Sequence, residues 1–174
     1  MIKLVGASLL MCTGTLISKI YVQKLKNKIL ILDLFKEFLI YTKQEINFNL
    51  TPPDIILKNY LIKFKSNFDF EFYNYIKKCS ENMQTGKKFP ESWKISFCYI
   101  IKKMDFCTEI LNIFEKFGAE FGTTNAEHQI NLCDFIINKL EYYNKIFRKD
   151  YEKNSKLYLT LGMCLGALVA VLLI

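Results

Sequence analysis

Leu157 to Ile174 is a run of eighteen residues without a charge, set directly behind the strongly charged stretch RKDYEKNSK. A soluble domain could use such a run only as a helix buried on every side, and a chain of 174 residues rarely builds a core thick enough for that. A bilayer accommodates it directly. At the α-helical rise the run spans about 27 Å, close to the roughly 30 Å of a bilayer's hydrocarbon core. A second apolar run, LVGASLLMCTGTLIS, lies between Lys3 and Lys19 and reaches bilayer length when counted through Val22, with the Lys19 ammonium snorkelling to the interface. Lys3 is a weak basic n-region and no A-x-A-like cleavage site follows, so an uncleaved anchor is favoured over a secretory signal. Residues 1–22 and 157–174 are therefore expected to be transmembrane helices, with 23–156 between them as one domain.

Orientation follows from the basic residues, which prefer the cytoplasmic side of a span. Lys19, Lys24, Lys26 and Lys28 follow the first run, and Lys145, Arg148, Lys149, Lys153 and Lys156 precede the second, whereas only Lys3 lies outside them. The middle of the chain is expected in the cytoplasm and both termini across the membrane.

Half of the residues are hydrophobic and 15% are aromatic, enough for the middle to bury a core of its own. Cys12, Cys79, Cys98, Cys107, Cys133 and Cys164 fall singly, with no C-x-x-C, as expected for small apolar fillers in a reducing compartment. The net charge of +7 invites nucleic acid, yet 23 of the 24 basic residues are lysine. Bidentate phosphate recognition favours arginine, and no nucleic-acid motif is present. Attraction of juxtamembrane lysines to anionic lipid accounts for much of the excess.

Along the middle, apolar residues recur at helical spacing. Ile31, Leu34, Phe35 and Phe38 form one stripe, Leu57, Leu61 and Phe64 a second, and Phe68, Phe72, Tyr75 and Cys79 a third. Trp93, Phe97, Ile100 and Met104 follow, then Phe106, Ile110, Ile113 and Phe117, and finally a long series through Ala126, Ile130, Cys133, Ile137, Leu140, Asn144, Phe147 and Tyr151. Six helices are implied, and the fold class is all-α. Thr51-Pro52-Pro53-Asp54 offers a cap, prolines for a first turn and an acid at N3; Pro90 suits another start, and Thr124-Asn125-Ala126-Glu127 reads as a capping box. Breaks are expected at Gln84-Thr85-Gly86 and Gly122-Thr123. No Gly or Pro lies between Tyr21 and Phe48 or between Asn125 and Leu161, so the first and last helices should each run on from a span into the bundle without a flexible tether.

The opening MIKLVGASLL, the segment EINFNLTPPDIIL, the PESW around Trp93, the FGAEFGTTNAEHQ ending at Gln129 and the closing KLYLTLGMCLGALVAVLLI, in that order, resemble the stage III sporulation protein AB (SpoIIIAB) family of endospore-forming bacteria. The resemblance covers the whole chain. One departure is Leu159, where that pattern carries a basic residue. The resemblance implies a mother-cell membrane protein of the apparatus linking mother cell and forespore. It also implies a soluble domain similar to the helical domains of type II secretion and type IV pilus platform proteins, and partners that include other stage III sporulation proteins and a cytoplasmic secretion-type ATPase.

The residues themselves offer little chemistry. His128 is the only histidine, and Cys133, five positions on, does not share its helix face. Gly86-Lys87-Lys88 lacks the upstream glycine and the following Ser or Thr of a phosphate-binding loop. Glu115 with Glu120, and Asp150 with Glu152, read as solvated faces rather than acid and base pairs. No catalytic residue, metal ligand or cofactor is expected, and the enzyme reading is the weakest.

Two non-enzymatic readings remain: a platform that takes force or conformational change from an ATPase, and a passive membrane-anchored adaptor or lipid-surface binder. Residues 56–103 carry ten lysines against four acids, whereas 104–144 carry seven acids against two lysines. Segregation of both signs favours protein partners, a second copy of the chain among them. The expected partner-facing rim is Lys77, Lys78, Lys87 and Lys88, in a lysine-rich stretch that continues to Lys102 and Lys103. In the spans, Gly162 with Gly166 and Gly14 with Ser18 have the small-x-x-x-small spacing that lets helices approach closely in lipid.

Overall fold

The structure is a computed structural model. It describes the backbone of residues 2–64 and 70–173, and the side chains of those residues other than 2–15, 17, 70–71, 98–103, 158–159, 161–163 and 165–173. Among the described residues the chain is six α-helices and no strand: α1 (Ile2–Asn49), α2 (Pro53–Lys63), α3 (Phe70–Gln84), α4 (Phe89–Met104), α5 (Thr108–Glu120) and α6 (Ala126–Leu173). The all-α expectation holds, and the first and last helices are uninterrupted over 48 residues each.

Residues 31–144 form one compact unit; residues 1–30 and 145–174 form another. In the larger unit α1 is central. Ile31, Leu32, Leu34, Phe35, Phe38, Leu39, Tyr41 and Thr42 are all buried, which covers far more of the helix circumference than a single stripe. Helix α3 packs on α2 and on α4, and α4 packs on α5. Ile110, Ile113, Phe114 and Phe117 face inward from α5, and Leu132, Cys133, Ile136 and Leu140 from α6.

One face of α1 meets α6 through polar pairs. Asn144 Nδ2 donates to Asp33 Oδ1 at 2.7 Å, Lys36 Nζ to Glu141 Oε1 at 3.2 Å, and Lys43 Nζ to Asp134 Oδ1 at 2.6 Å and Oδ2 at 2.7 Å. Each step along α1 is answered by an equal step back along α6: three residues from 33 to 36 against three from 144 to 141, then seven from 36 to 43 against seven from 141 to 134. The two helices are antiparallel here, in a single register.

Helix ends differ from the expected caps by about one residue. At α2 the N-cap is Pro52, with Pro53 opening the helix and Asp54 in its first turn; Thr51 caps nothing, because its hydroxyl donates to Glu45 Oε2 at 2.9 Å. At α6 the Thr124 box is replaced by Asn125, whose Oδ1 accepts the His128 N–H at 2.9 Å while the Gln129 side chain reaches back to the Thr124 carbonyl at 2.7 Å. The break at Gly86 is a Schellman turn: Gly86 sits at φ +89°, its N–H bonds to the Met83 carbonyl at 3.0 Å and that of Lys87 to the Asn82 carbonyl at 3.4 Å. Helix α2 buries Ile56, Leu57 and Tyr60 rather than Leu57, Leu61 and Phe64. It is apolar on both faces, leaving Ile55 and Ile62 exposed, so periodicity could not select the inner one.

Among the described residues no helix is long and apolar enough to cross a membrane, so the two expected spans find no support there. Most of the side chains of 1–22 and 157–174 lie outside the described residues, as do the surroundings of Gly14, Gly162 and Gly166, Phe68, and the side chains of Ile100, Lys102 and Lys103.

Candidate partner-binding surface

Three of the sequence segments singled out above converge at one place in the larger unit. Trp93, from PESW, is 2% exposed and lies among rings of three helices: Phe35 (5.7 Å between centroids) and Phe38 (6.2 Å) of α1, Phe97 (3.8 Å) of α4 and Phe117 (4.8 Å) of α5. Its indole N–H donates to the Phe114 carbonyl at 2.9 Å, which satisfies the one polar atom of a buried tryptophan. Gly118, from FGAEFGTT, makes this approach feasible: a Cβ there would lie inside the Trp93 indole. Four residues on, Gly122 has φ +76°, and a Cβ there would come within 2.8 Å of Pro53 Cγ of the TPPD segment. The order and spacing of these segments thus reflect close approaches among α2, α4 and α5. Beside the seam, Pro90, Trp93, Lys94, Phe97, Phe114, Glu115, Gly118 and Ala119 line a shallow groove of about 310 Å³. Helical periodicity gives Phe114 and Gly118 no role of their own; the signal the sequence holds is a glycine in mid-helix, where it costs about 1 kcal/mol relative to alanine.

The four lysines of the expected rim fall into two groups. Lys77 and Lys78 are exposed on α3, while Lys87 and Lys88 lie in the α3–α4 connection, where Lys88 is the N-cap of α4. Lys77 Nζ lies 3.9 Å from Glu81 and Lys87 Nζ 3.8 Å from Glu91, so a carboxylate one turn ahead of each offsets part of the positive field. Lys78, Lys88 and Lys94 are exposed.

His128 and Cys133 are not brought together. His128 is exposed, 3.3 Å from Glu120 Oε2, while Cys133 is buried in the core. Burial pushes the thiols of Cys79 and Cys133 up to about 12, so both stay protonated and unreactive in the fold. Cys107 and Cys164 are exposed free thiols. Burial, with Glu45 beside it, likewise pushes the Tyr41 hydroxyl up to about 12. Among the described residues no group of three or more His, Cys, Asp or Glu is placed to hold a metal ion. Ser18, from the small-residue pair of the first run, is half-buried.

Six helices without a strand among the described residues, closed over a dry aromatic seam, define the class as an all-α helical domain. The model of the family described as stage III sporulation protein AB matches residues 3–174, and the chain belongs to that family. Comparison with the curated proteins and with the solved structures finds no match.

Proposed function

We propose that this stage III sporulation protein is a non-enzymatic membrane platform of the apparatus between mother cell and forespore, working with a cytoplasmic secretion-type ATPase. It is held in the mother-cell membrane by residues 1–22 and 157–174, with the domain between them in the cytoplasm. The observation that carries this reading is the build of α1 and α6. Each is one uninterrupted helix that holds a long apolar run at one end and supplies core residues of the compact unit at the other. A chain so built is suited to pass a force between a cytoplasmic partner and the bilayer. Leu16, Ile20 and Leu157, exposed apolar side chains in or beside the two runs, are in keeping with a lipid surround. The lysines at 77, 78, 87 and 88 are the docking rim for the ATPase, and the small residues Gly14, Ser18, Gly162 and Gly166 are where the spans pack on each other or on a partner span.

Affinity capture of the detergent-solubilised chain from sporulating cells tests the reading. Recovery of a secretion-type ATPase together with membrane partners is the expected result. Recovery of membrane partners without any ATPase points instead to the passive adaptor. Topology is checked separately with single cysteines at residues 2 and 86 in an otherwise cysteine-free chain: a membrane-impermeant maleimide applied to intact cells should label residue 2 and spare residue 86.

A further inference from the structure

The pairing of α1 with α6 decides which face of α6 is left uncovered. Asp134 and Glu141 point to α1 through Lys43 and Lys36. One residue further on in each case, the helical rotation of about 100° carries Phe135 and Tyr142 outward. Phe135 is 45% exposed and Tyr142 is 60% exposed, and with Asn138 and Lys139 they line a shallow depression of about 330 Å³. Spacing of four and three along 135, 139 and 142 puts these side chains on one stripe.

The charges around this stripe run against their neighbourhood. Residues 104–144 contain seven acids and only two lysines, Lys116 and Lys139. Both lysines come to the same ring: Lys116 Nζ of α5 lies 4.5 Å from the Phe135 centroid and Lys139 Nζ lies 5.8 Å from it. Among the described residues, the exposed aromatic patch of Phe135 and Tyr142 on this acidic half is therefore edged by both of its lysines.

We propose that this α5–α6 face is a docking surface for an acidic, apolar partner segment. The segment is an amphipathic helix whose hydrophobic stripe seats on Phe135 and Tyr142 while carboxylates along its edge meet Lys116 and Lys139. Charge decides between occupants. A symmetric pairing of this face with a second copy would gather four lysines in one interface whose lining, Phe135, Asn138, Lys139 and Tyr142, supplies no carboxylate, and like charges so gathered are unfavourable. An anionic lipid surface, broader than the patch, would be repelled by residues 104–144 as a whole, whose seven acids outnumber their two lysines. A helix with carboxylates at its margin alone satisfies both the rings and the lysines. The surface is distinct from the Lys77–Lys88 rim and does not depend on the ATPase reading.

The test uses the full chain in phosphatidylcholine nanodiscs and two synthetic amphipathic helices with the same leucine stripe, one edged by glutamate and one by lysine. Fluorescence anisotropy should show the glutamate-edged helix binding roughly tenfold tighter or more, with the gap narrowing in high salt. Phe135→Ser with Tyr142→Ser should remove most of the binding. Lys116→Glu with Lys139→Glu should invert the preference, and the milder Lys116→Gln with Lys139→Gln should abolish it. The chain with Lys77, Lys78, Lys87 and Lys88 reversed to Glu should retain it, since the rim is elsewhere. Equal binding of the two helices, or a preference that survives reversal of Lys116 and Lys139, overturns the proposal. So does displacement of the helix by phosphatidylglycerol added to the nanodiscs, which would make the face a lipid contact, or by self-association of the chain in sedimentation, which would make it a contact between copies.

Discussion

Trp93 against Gly118 and Lys43 against Asp134 are both joints between helices of the same compact unit, and they are built in opposite ways. The first is dry and depends on shape: a ring lies where a Cβ would otherwise sit, and its single polar atom is spent on a neighbouring carbonyl. The second is half exposed and depends on charge and register, with a bidentate ammonium at its centre. A buried close contact loses packing over a large area when either partner changes. An ion pair in water's reach loses little, because solvent screens it and the ordering of two long side chains already costs most of what it gains. Stability should therefore sit in the seam, and alignment in the ladder.

Five substitutions, in four experiments, can break or sharpen that contrast. Trp93→Ala should have the largest effect, about 3–5 kcal/mol of lost stability in denaturant unfolding of the solubilised chain. Gly118→Ala should come next at about 1–3 kcal/mol, through overpacking against the indole. Its sign is the informative part. On an exposed helix the same change stabilises by about 1 kcal/mol through propensity, so a raised melting temperature would mean that the seam yields and is not close-packed. Removing the α6 cap with Asn125→Ala should cost about 1 kcal/mol. A double-mutant cycle on Lys43→Ala and Asp134→Ala should give a coupling of only about 0.2–1 kcal/mol, diminishing in salt. A coupling as large as the Gly118 effect would erase the distinction between the two joints.

The same contrast explains what could be read from the sequence. Trp93, Phe97 and Met104 of α4, like Ile110, Ile113 and Phe117 of α5, lie inside because their spacing follows one face of a helix, and that information is local. The Gly86 break was legible for the same reason, since a left-handed turn has a residue preference. What escaped was non-local. Lys43, Asp134, Lys36 and Glu141 look like ordinary solvated charges until α1 and α6 are laid side by side, and Gly118 looks like a weak point in a helix until Trp93 is placed on it. Asn125 outcompeted Thr124 by one position, a margin at which two capping residues in succession cannot be ranked from sequence. Of the candidate surface, the segregation of lysines from acids was legible, whereas the gathering of Lys116 and Lys139 about Phe135 required the packing of α5 on α6.

The equal stepping of α1 and α6 also limits how the chain can change over evolutionary time. Replacing one charge of the ladder forfeits one pair, but inserting or deleting one residue between 33 and 43 would rotate everything beyond it by about 100° and shift it by about 1.5 Å, separating pairs whose own residues are untouched. Length is thus more tightly held than composition in this part of both helices. Insertions and deletions among relatives should collect in the α2–α3 and α3–α4 connections, and any that enter α1 should come in multiples near seven or be answered by a matching change in α6.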